Sequence, residues 1–381
     1  MTMFGNGRIV TSNGLFEVGW VQVQDGKIRD LGLGTPDQPI DVDLESRTLV
    51  PGFVDQHSHG GGGSSFITTD PSEARHAAEL HLSHGTTSMI ASLVSGSQAT
   101  LIEQIGALSP LVDDGTVVGI HLEGPWISTE YCGAHDVAQL RAPERQEVAE
   151  LLAVGGGRIK MVTIAPELPG AVPAIRQIVE AGALAAIGHS AADYETAAAA
   201  IEAGASVATH VANAVRPLRH RDPGLTGAVL EDPRVNLELI ADGTHVHRVV
   251  LNLVIREAGV DRVSLITDAM AAAGGADGRY LLGELEVDVV DGVARLVEGG
   301  AIAGSTLTMD GALQFMTLQA GLPIVDVVAM VSTNPARVLG LTDRGTIEIG
   351  KRADLVILGS VLDVEAVMRQ GEWVKGTRGV G

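Results

Sequence analysis

"ALAAIGHSAADYETAAAAIEAGASVATHVANA", residues 183–214, decides the fold. It opens on a short apolar run that ends at His189. An Ala-rich stretch follows at 192–205, built from strong helix formers. A second apolar run, 205–210, ends at His210. Strand, helix and strand at this spacing make one β/α unit of a parallel sheet. Both strand-type runs stop on a histidine, so the same stretch raises a question of chemistry.

Working outward, the unit repeats. Strand-type runs lie at 50–57, 86–92, 116–122, 160–165, 183–188, 236–241 and 262–267, beside 205–210. Helical stretches such as 71–85 separate most of them. Eight such runs across 51–341 predict a (β/α)8 barrel. A doubly wound sheet is the alternative, because a strand count does not demand closure. The ends of the chain read differently. Residues 8–33 and 345–376 carry short β-type runs, and the first segment is broken by Asn13-Gly14 and Asp25-Gly26 turns. Neither end can bury a core alone. Residues 1–50 and 342–381 are therefore expected to pair into a small β-sandwich domain, with the barrel of 51–341 inserted between them.

Composition narrows the function. The 381 residues are 45% hydrophobic and only 3% aromatic, with 48 glycines. That suits an α/β core of aliphatic side chains between glycine turns. A formal net charge of −21 argues against nucleic acid or an anionic membrane as partner. Cys132 is the one cysteine, so no internal disulfide forms and a reducing compartment is expected. The start lacks the pattern of a signal peptide, and no apolar run is long enough to span a bilayer. A cytoplasmic protein is the expectation.

In a β/α barrel the active site forms at the C-terminal ends of the strands. His57 and His59 end the first run, Glu123 the third, His189 the fifth, His210 the sixth and Asp268 the eighth, while Asp242 follows the seventh. Alternate residues of a strand share a face. Asp55, His57 and His59 share parity, as do Ser206, Ala208 and His210, and Ser264, Ile266 and Asp268. One strand-end histidine is ordinarily a structural residue. Four histidines and two acids at one rim suit Zn2+ or another divalent ion. His121 lies deeper and reads as a packing or supporting residue, as does Asp55. His76, His81 and His84 read as surface or packing residues. The glycines at 60–63 lack the Gly-Lys-Ser/Thr ending of a phosphate loop and read as a flexible loop. The segment "NAVRPLRHRDPG", 213–224, gathers Arg216, Arg219, His220 and Arg221 in an acidic chain. It is a candidate anion site, set against an ordinary solvated loop.

The motifs "PGFVDQHSHG", "HLEGPW", "GHS", "THVANA", "RDPGLTGA", "DGTH", "TDAM" and "IAGS", in this order, resemble the N-acetylglucosamine-6-phosphate deacetylase family of the amidohydrolase superfamily. The resemblance runs on to "GTIEIGKRADLVIL" near the end and so covers essentially the whole chain. It implies a metal site of Glu123, His189 and His210, with Asp268 as catalytic acid and base. It implies substrate contacts at Ala134, His135, Asn213, Ala214, Arg221 and His245, and at the backbone of Ile302, Ala303 and Gly304. It also implies a homodimer whose neighbouring subunit completes the phosphate site, with His245 and Arg221 assigned to that cross-subunit role. Because His57-X-His59 is intact, one or two ions per subunit are expected. A related galactosamine 6-phosphate deacetylase is the alternative. A cyclic amidase is weaker, since its metal-bridging lysine would have to be Lys160, which begins a strand. A metal-free sugar-phosphate-binding barrel is weaker still, because the ligand set is complete. Cys132 is expected to be a buried small residue, with a reactive or metal-touching thiol as the less favoured reading.

Overall fold

The computed structural model describes residues 1–376. Eight parallel strands form one sheet: Phe53–Asp55, Thr86–Leu93, Gly119–Glu123, Ile159–Ile164, Leu184–Ile187, Ala205–Ala208, Asn236–Ile240 and Val263–Ile266, each beside its neighbour in sequence. Parallel strands are covered on both faces, so they read as near-continuous apolar runs. Thr86–Leu93 is buried at every position. The expected (β/α)8 barrel is borne out, and the eight runs read from sequence agree with the strands to within a few residues.

The stretch that decided the fold shows how the sequence builds each unit. The helix Tyr194–Glu202 begins where Asp193 Oδ1 accepts from the Thr196 backbone N–H at 2.9 Å, which caps an otherwise unpaired donor. Ala197, Ala200 and Ile201 form its buried face, at the i, i+3, i+4 spacing of a helix. It ends before Gly204, whose φ of +112° lets the chain turn into the next strand.

Regular pairing stops before the ring is complete, and the segments after the first and last strands finish it. The Asp268 backbone N–H donates to His57 O at 2.9 Å, and the His59 N–H donates to Ala269 O at 2.7 Å. The same bonds that close the barrel thus set His57 and His59 beside Asp268.

Contacts divide the described chain into two compact units. One gathers Met1–Gln56, Glu79–Ser88 and the chain from Thr308 onward; the other is His57–Ala78 with Met89–Leu307. In the first, strands from both ends join one sheet in the order Glu372–Lys375, Val364–Arg369, Leu355–Leu358, Thr48–Pro51, Thr2–Thr11, Gly14–Gln24, Lys27–Leu33. Ile28 and Met368 lie far apart along this path yet share one apolar cluster with Phe4, Leu49 and Ile357. The sheet therefore curls over its own core, as expected for strands that cannot bury a face alone. In the second unit, a three-stranded antiparallel sheet, Gly278–Leu282, Leu285–Val290 and Val293–Leu296, follows the eighth barrel strand. It packs Leu282, Val287 and Ala294 against Ala134, Met270 and Ala303. The sequence reading does not include this sheet, although its Asp291-Gly292 turn is visible there.

Candidate metal centre

Glu123 ends the third strand and occupies the middle of the site. Its Oε1 lies 3.1 Å from His189 Nε2, 3.0 Å from His210 Nε2 and 3.5 Å from His57 Nε2. Its Oε2 lies 3.1 Å from His59 Nε2. Two overlapping groups result, His57, His59 and Glu123, and Glu123, His189 and His210, which share the one carboxylate. Asp268 Oδ1 completes the cluster, 3.3 Å from His59 Nε2 and 3.5 Å from His57 Nε2. All six residues are buried.

The strained backbone falls at the same place. His189, His210 and Asp268 have φ of +46°, +28° and +48°, in the left-handed region that side chains other than glycine's rarely adopt. Gly133 faces the first of them; a Cβ there would come 3.0 Å from His189 Cε1.

Hydrogen bonds decide which ring nitrogens face inward. His59 Nδ1–H donates to Ser92 O at 3.1 Å, and His189 Nδ1–H donates to Tyr131 O at 2.9 Å. His57 Nδ1 lies 3.2 Å from Glu238 Oε2. With the proton on Nδ1, each of these rings when neutral turns its lone pair at Nε2 to the centre. Yet His189 Nε2 and His210 Nε2 are 3.0 Å apart, and His57 Nε2 and His59 Nε2 are 3.2 Å apart. Ring nitrogens this close to each other and to carboxylate oxygens suit a shared cation. The donor set fits a divalent metal ion, as the amidohydrolase resemblance implies.

His135 is oriented the opposite way. The Ser95 backbone N–H donates to its Nδ1 at 3.2 Å. Nδ1 is therefore an acceptor, and Nε2–H points at Glu123 Oε2, 3.3 Å away. Burial, against the pull of Glu123, holds His135 down at about 4, so it is a neutral hydrogen-bond donor at pH 7. Burial also pushes His59 down, but its hydrogen bonds to Asp268 and Glu123 lift it to about 9. For His57, burial is outweighed by the charges of Glu123 and Asp268, and the ring is raised well above its usual range. Burial pushes Asp268 up, but His57 and His59 together hold it well below the usual carboxylate range. The attraction that these carboxylates exert on a proton acts equally on a metal cation.

A cavity of about 380 Å³ opens over the cluster, lined by His59, Glu123, Ala134, His135, His189, His210, Asn213, Ala214, His245, Asp268, Ile302 and Gly304 among others. Most expected site residues are thus brought together. His245 lines the same cavity. The reason is local: Asp242 Oδ2 holds His245 Nδ1 at 2.6 Å, and Asp242 Oδ1 accepts from the Thr244 and His245 backbone N–H groups. Arg219, His220 and Arg221 are exposed and line no part of this cavity, and Arg216 is tied to Asp222. Ala303 is buried with its N–H on Ala294 O, while its neighbours Ile302 and Gly304 line the wall. Cys132 is half-buried rather than buried and does not line the cavity. His121 is buried as expected, between Ser92 Oγ at 3.0 Å and Thr163 Oγ1 at 2.9 Å. His81 is buried, whereas His84 pairs with Asp310 and His76 with Ser64.

Sequence reasoning missed Ser95, Tyr131 and Glu238. Tyr131 acts through its backbone carbonyl, and Ser95 meets His135 Nδ1 through both its N–H and its hydroxyl, the latter 2.8 Å away, a group too common in sequence to stand out. Glu238 left a signal: it shares parity with Asp242 on the seventh strand, so the alternation that singled out His210 also marks it.

A β/α barrel with imidazoles and carboxylates converging at its C-terminal mouth is the framework of a metal-dependent hydrolase. The chain belongs to the amidohydrolase family, whose pattern matches residues 48–374. It is similar to an N-acetylgalactosamine-6-phosphate deacetylase of Escherichia coli O157:H7, 37% identical and covering 94% of this chain and 96% of that one. It is similar to the N-acetylglucosamine-6-phosphate deacetylase of Bacillus subtilis (strain 168), 34% identical over 95% and 94%. Among solved structures it matches a mutant N-acetyl-D-glucosamine-6-phosphate deacetylase from Mycobacterium smegmatis in complex with N-acetyl-D-glucosamine-6-phosphate. That match has a TM-score of 0.96, 44% identity, and coverage of 98% and 99%.

Proposed function

We propose that this chain hydrolyses the N-acetyl group of N-acetyl-D-glucosamine 6-phosphate, giving D-glucosamine 6-phosphate and acetate. The observation that carries the reading is the convergence of four imidazole Nε2 atoms and the Asp268 carboxylate on Glu123 beneath an open cavity. Glu123, His189 and His210 would hold the ion that the reaction needs, and His57 and His59, with Glu123 shared, would hold a second. We infer zinc, from imidazole and carboxylate ligands in a site with room for substrate.

Bound there, a divalent ion supplies Lewis acidity, which polarises a carbonyl oxygen and makes water nucleophilic near pH 7. The protein's own groups do the rest. Asp268, held ionised, takes a proton from the attacking water and returns it to the departing amine nitrogen. His135 Nε2–H, kept neutral by burial, donates to the oxygen on which charge develops. Asn213 and the backbone about Ala134, Ala214 and Gly304 shape the sugar pocket, and His245 faces the phosphate.

The active form in this reading is a homodimer. Val249, Val250 and Leu253 leave an exposed apolar face on the helix Arg248–Ala258, immediately after His245 and His247. A second copy covering that face would bring exposed Arg221 to the neighbouring phosphate site. Residues 51–341 are assigned to catalysis and the end segments 1–50 and 342–381 to scaffolding. No helix among the described residues is long and apolar enough to cross a membrane. We place the enzyme in the cytoplasm, where sugar phosphates occur.

The test is acetate release from N-acetylglucosamine 6-phosphate and from its galactosamine epimer, with chelator and metal add-back and metal counted per chain. The expected result is chelator-sensitive release, faster with the glucosamine substrate. Faster release from the epimer would transfer the assignment to the galactosamine enzyme, and release that survives complete metal removal would overturn the mechanism.

A further inference from the structure

Glu238 is a carboxylate buried completely in the interior of a barrel whose strands are mainly apolar. Such a group is costly unless it is paired. It sits mid-strand in Asn236–Ile240, below the rim where the other site residues lie. Its Oε2 is 3.2 Å from His57 Nδ1 and 3.4 Å from the His210 backbone nitrogen. Its own carbonyl accepts from the Val211 N–H at 2.9 Å. One residue therefore touches a histidine from each ligand pair, His57 through its ring and His210 through its main chain.

We propose that Glu238 is a positioning residue that fixes His57 with its proton on Nδ1, so that Nε2 is the ligand atom of the His57/His59 position. Nearby chemistry makes such a device necessary. Glu123 Oε1 and Asp268 Oδ1 both lie 3.5 Å from His57 Nε2 and would accept a proton there. A ring protonated at Nε2 offers no lone pair on the side that faces Glu123 and Asp268. The carboxylate on the far side favours the opposite tautomer and holds the ring plane, as acceptors behind metal-bound histidines do. His59 and His189 are held from behind by neutral carbonyl oxygens of Ser92 and Tyr131. His57 alone of these three has a charged acceptor, so its position is tuned separately. The inference rests on the two-ion reading above for its effect on metal, but its statement about the ring does not.

The experiment uses the full chain with Glu238→Gln, which keeps an acceptor and removes the charge, and Glu238→Leu, which removes both. Affinity for the two zinc ions is measured by chelator competition, and the His57 tautomer by long-range nitrogen–proton NMR on histidine-labelled protein. The expected result for Glu238→Leu is a loss of about 10- to 100-fold in affinity at the His57/His59 position, the range for partners behind metal ligands. The other ion should shift by less than about threefold, since only a backbone contact is lost there, and Glu238→Gln should recover most of the loss. The wild-type ring should carry its proton on Nδ1, and the Leu variant should lose that preference. Equal weakening of both ions in both variants would mark Glu238 as merely structural and overturn the proposal. So would an Nε2–H ring in the wild type. If the wild type binds a single ion, the two-ion reading fails, and the tautomer alone then decides for or against Glu238.

Discussion

Two pairs of histidines reach Glu123 by opposite means. His57 and His59 come from one segment, two residues apart, and the bonds that close the barrel hold their backbone. His189 and His210 come from the ends of different strands, and both sit in left-handed backbone. The first pair is given by strand geometry, because alternate residues face the same way. The second is reached only by turning the chain out of its strand conformation. Strain of this kind costs on the order of 1–3 kcal/mol per residue and persists where the surroundings enforce it. Its location accords with the proposed reading, in which His189 and His210 hold the ion that the reaction needs and His57 and His59 a second one beside it.

The severest way to break the comparison is to remove what the pairs share. Glu123→Gln should deprive both positions of their bridging charge. Several kcal/mol of metal-dependent stabilisation, at 1.36 kcal/mol per tenfold, amounts to a fall on the order of 10⁴ in acetate release. Metal per chain should fall with it; retained metal together with retained activity would refute the bridging role. Asp268→Asn separates proton transfer from metal binding. Turnover should drop by about 10³, within the usual range for a positioned acid–base group, while metal content stays near wild type. Near-normal acetate release would remove Asp268 from the reaction.

Next come the pairs themselves. His189→Gln should cost more than about 100-fold in kcat, beyond what partners lying behind metal ligands typically cost, and His57→Gln about tenfold. Metal counting should find the two variants short of different ions. Equal losses in both would erase the distinction drawn from backbone strain.

The pairs also differed in how far the sequence revealed them. The barrel was legible because its buried parallel strands are apolar runs separated by capped helices such as Tyr194–Glu202. His57 and His59 were legible from spacing alone. Glu123, His189, His210 and Asp268 were legible only once the strand ends were known, because nothing local joins them. The role of Tyr131 was not legible, since a backbone carbonyl has the same chemistry whatever its side chain, and the serine hydroxyls of Ser92 and Ser95 are too common a group to stand out. The orientation of His245 was not legible either, since sequence order cannot show which way a loop histidine turns; Asp242 holds its ring at the cavity wall.

That ring gives the smallest expected effect and the sharpest contrast with His57. Both histidines have a carboxylate on Nδ1, but His57 points Nε2 at Glu123, His59 and Asp268 whereas His245 faces the open cavity. Burial pushes His245 down, and its hydrogen bond to Asp242 with that charge, helped by Asp268, raises it above its usual value. A raised histidine is charged below its folded pKa, so its attraction for a phosphate dianion is complete at low pH and lost as pH rises through that value. Its pairing with Asp242 stabilises the fold with the same sign: fully present below the unfolded value of about 6.5 and lost on passing the raised one. KM for the phosphorylated sugar should therefore rise by about three- to tenfold across that window, since one charge-assisted hydrogen bond is weakened while others remain. Asp242→Asn should move the rise toward acid, because the group that holds the proton on His245 is gone. KM for unphosphorylated N-acetylglucosamine should stay flat over the same range. A KM rise shared by both sugars would show that His245 reads some part of the substrate other than its phosphate.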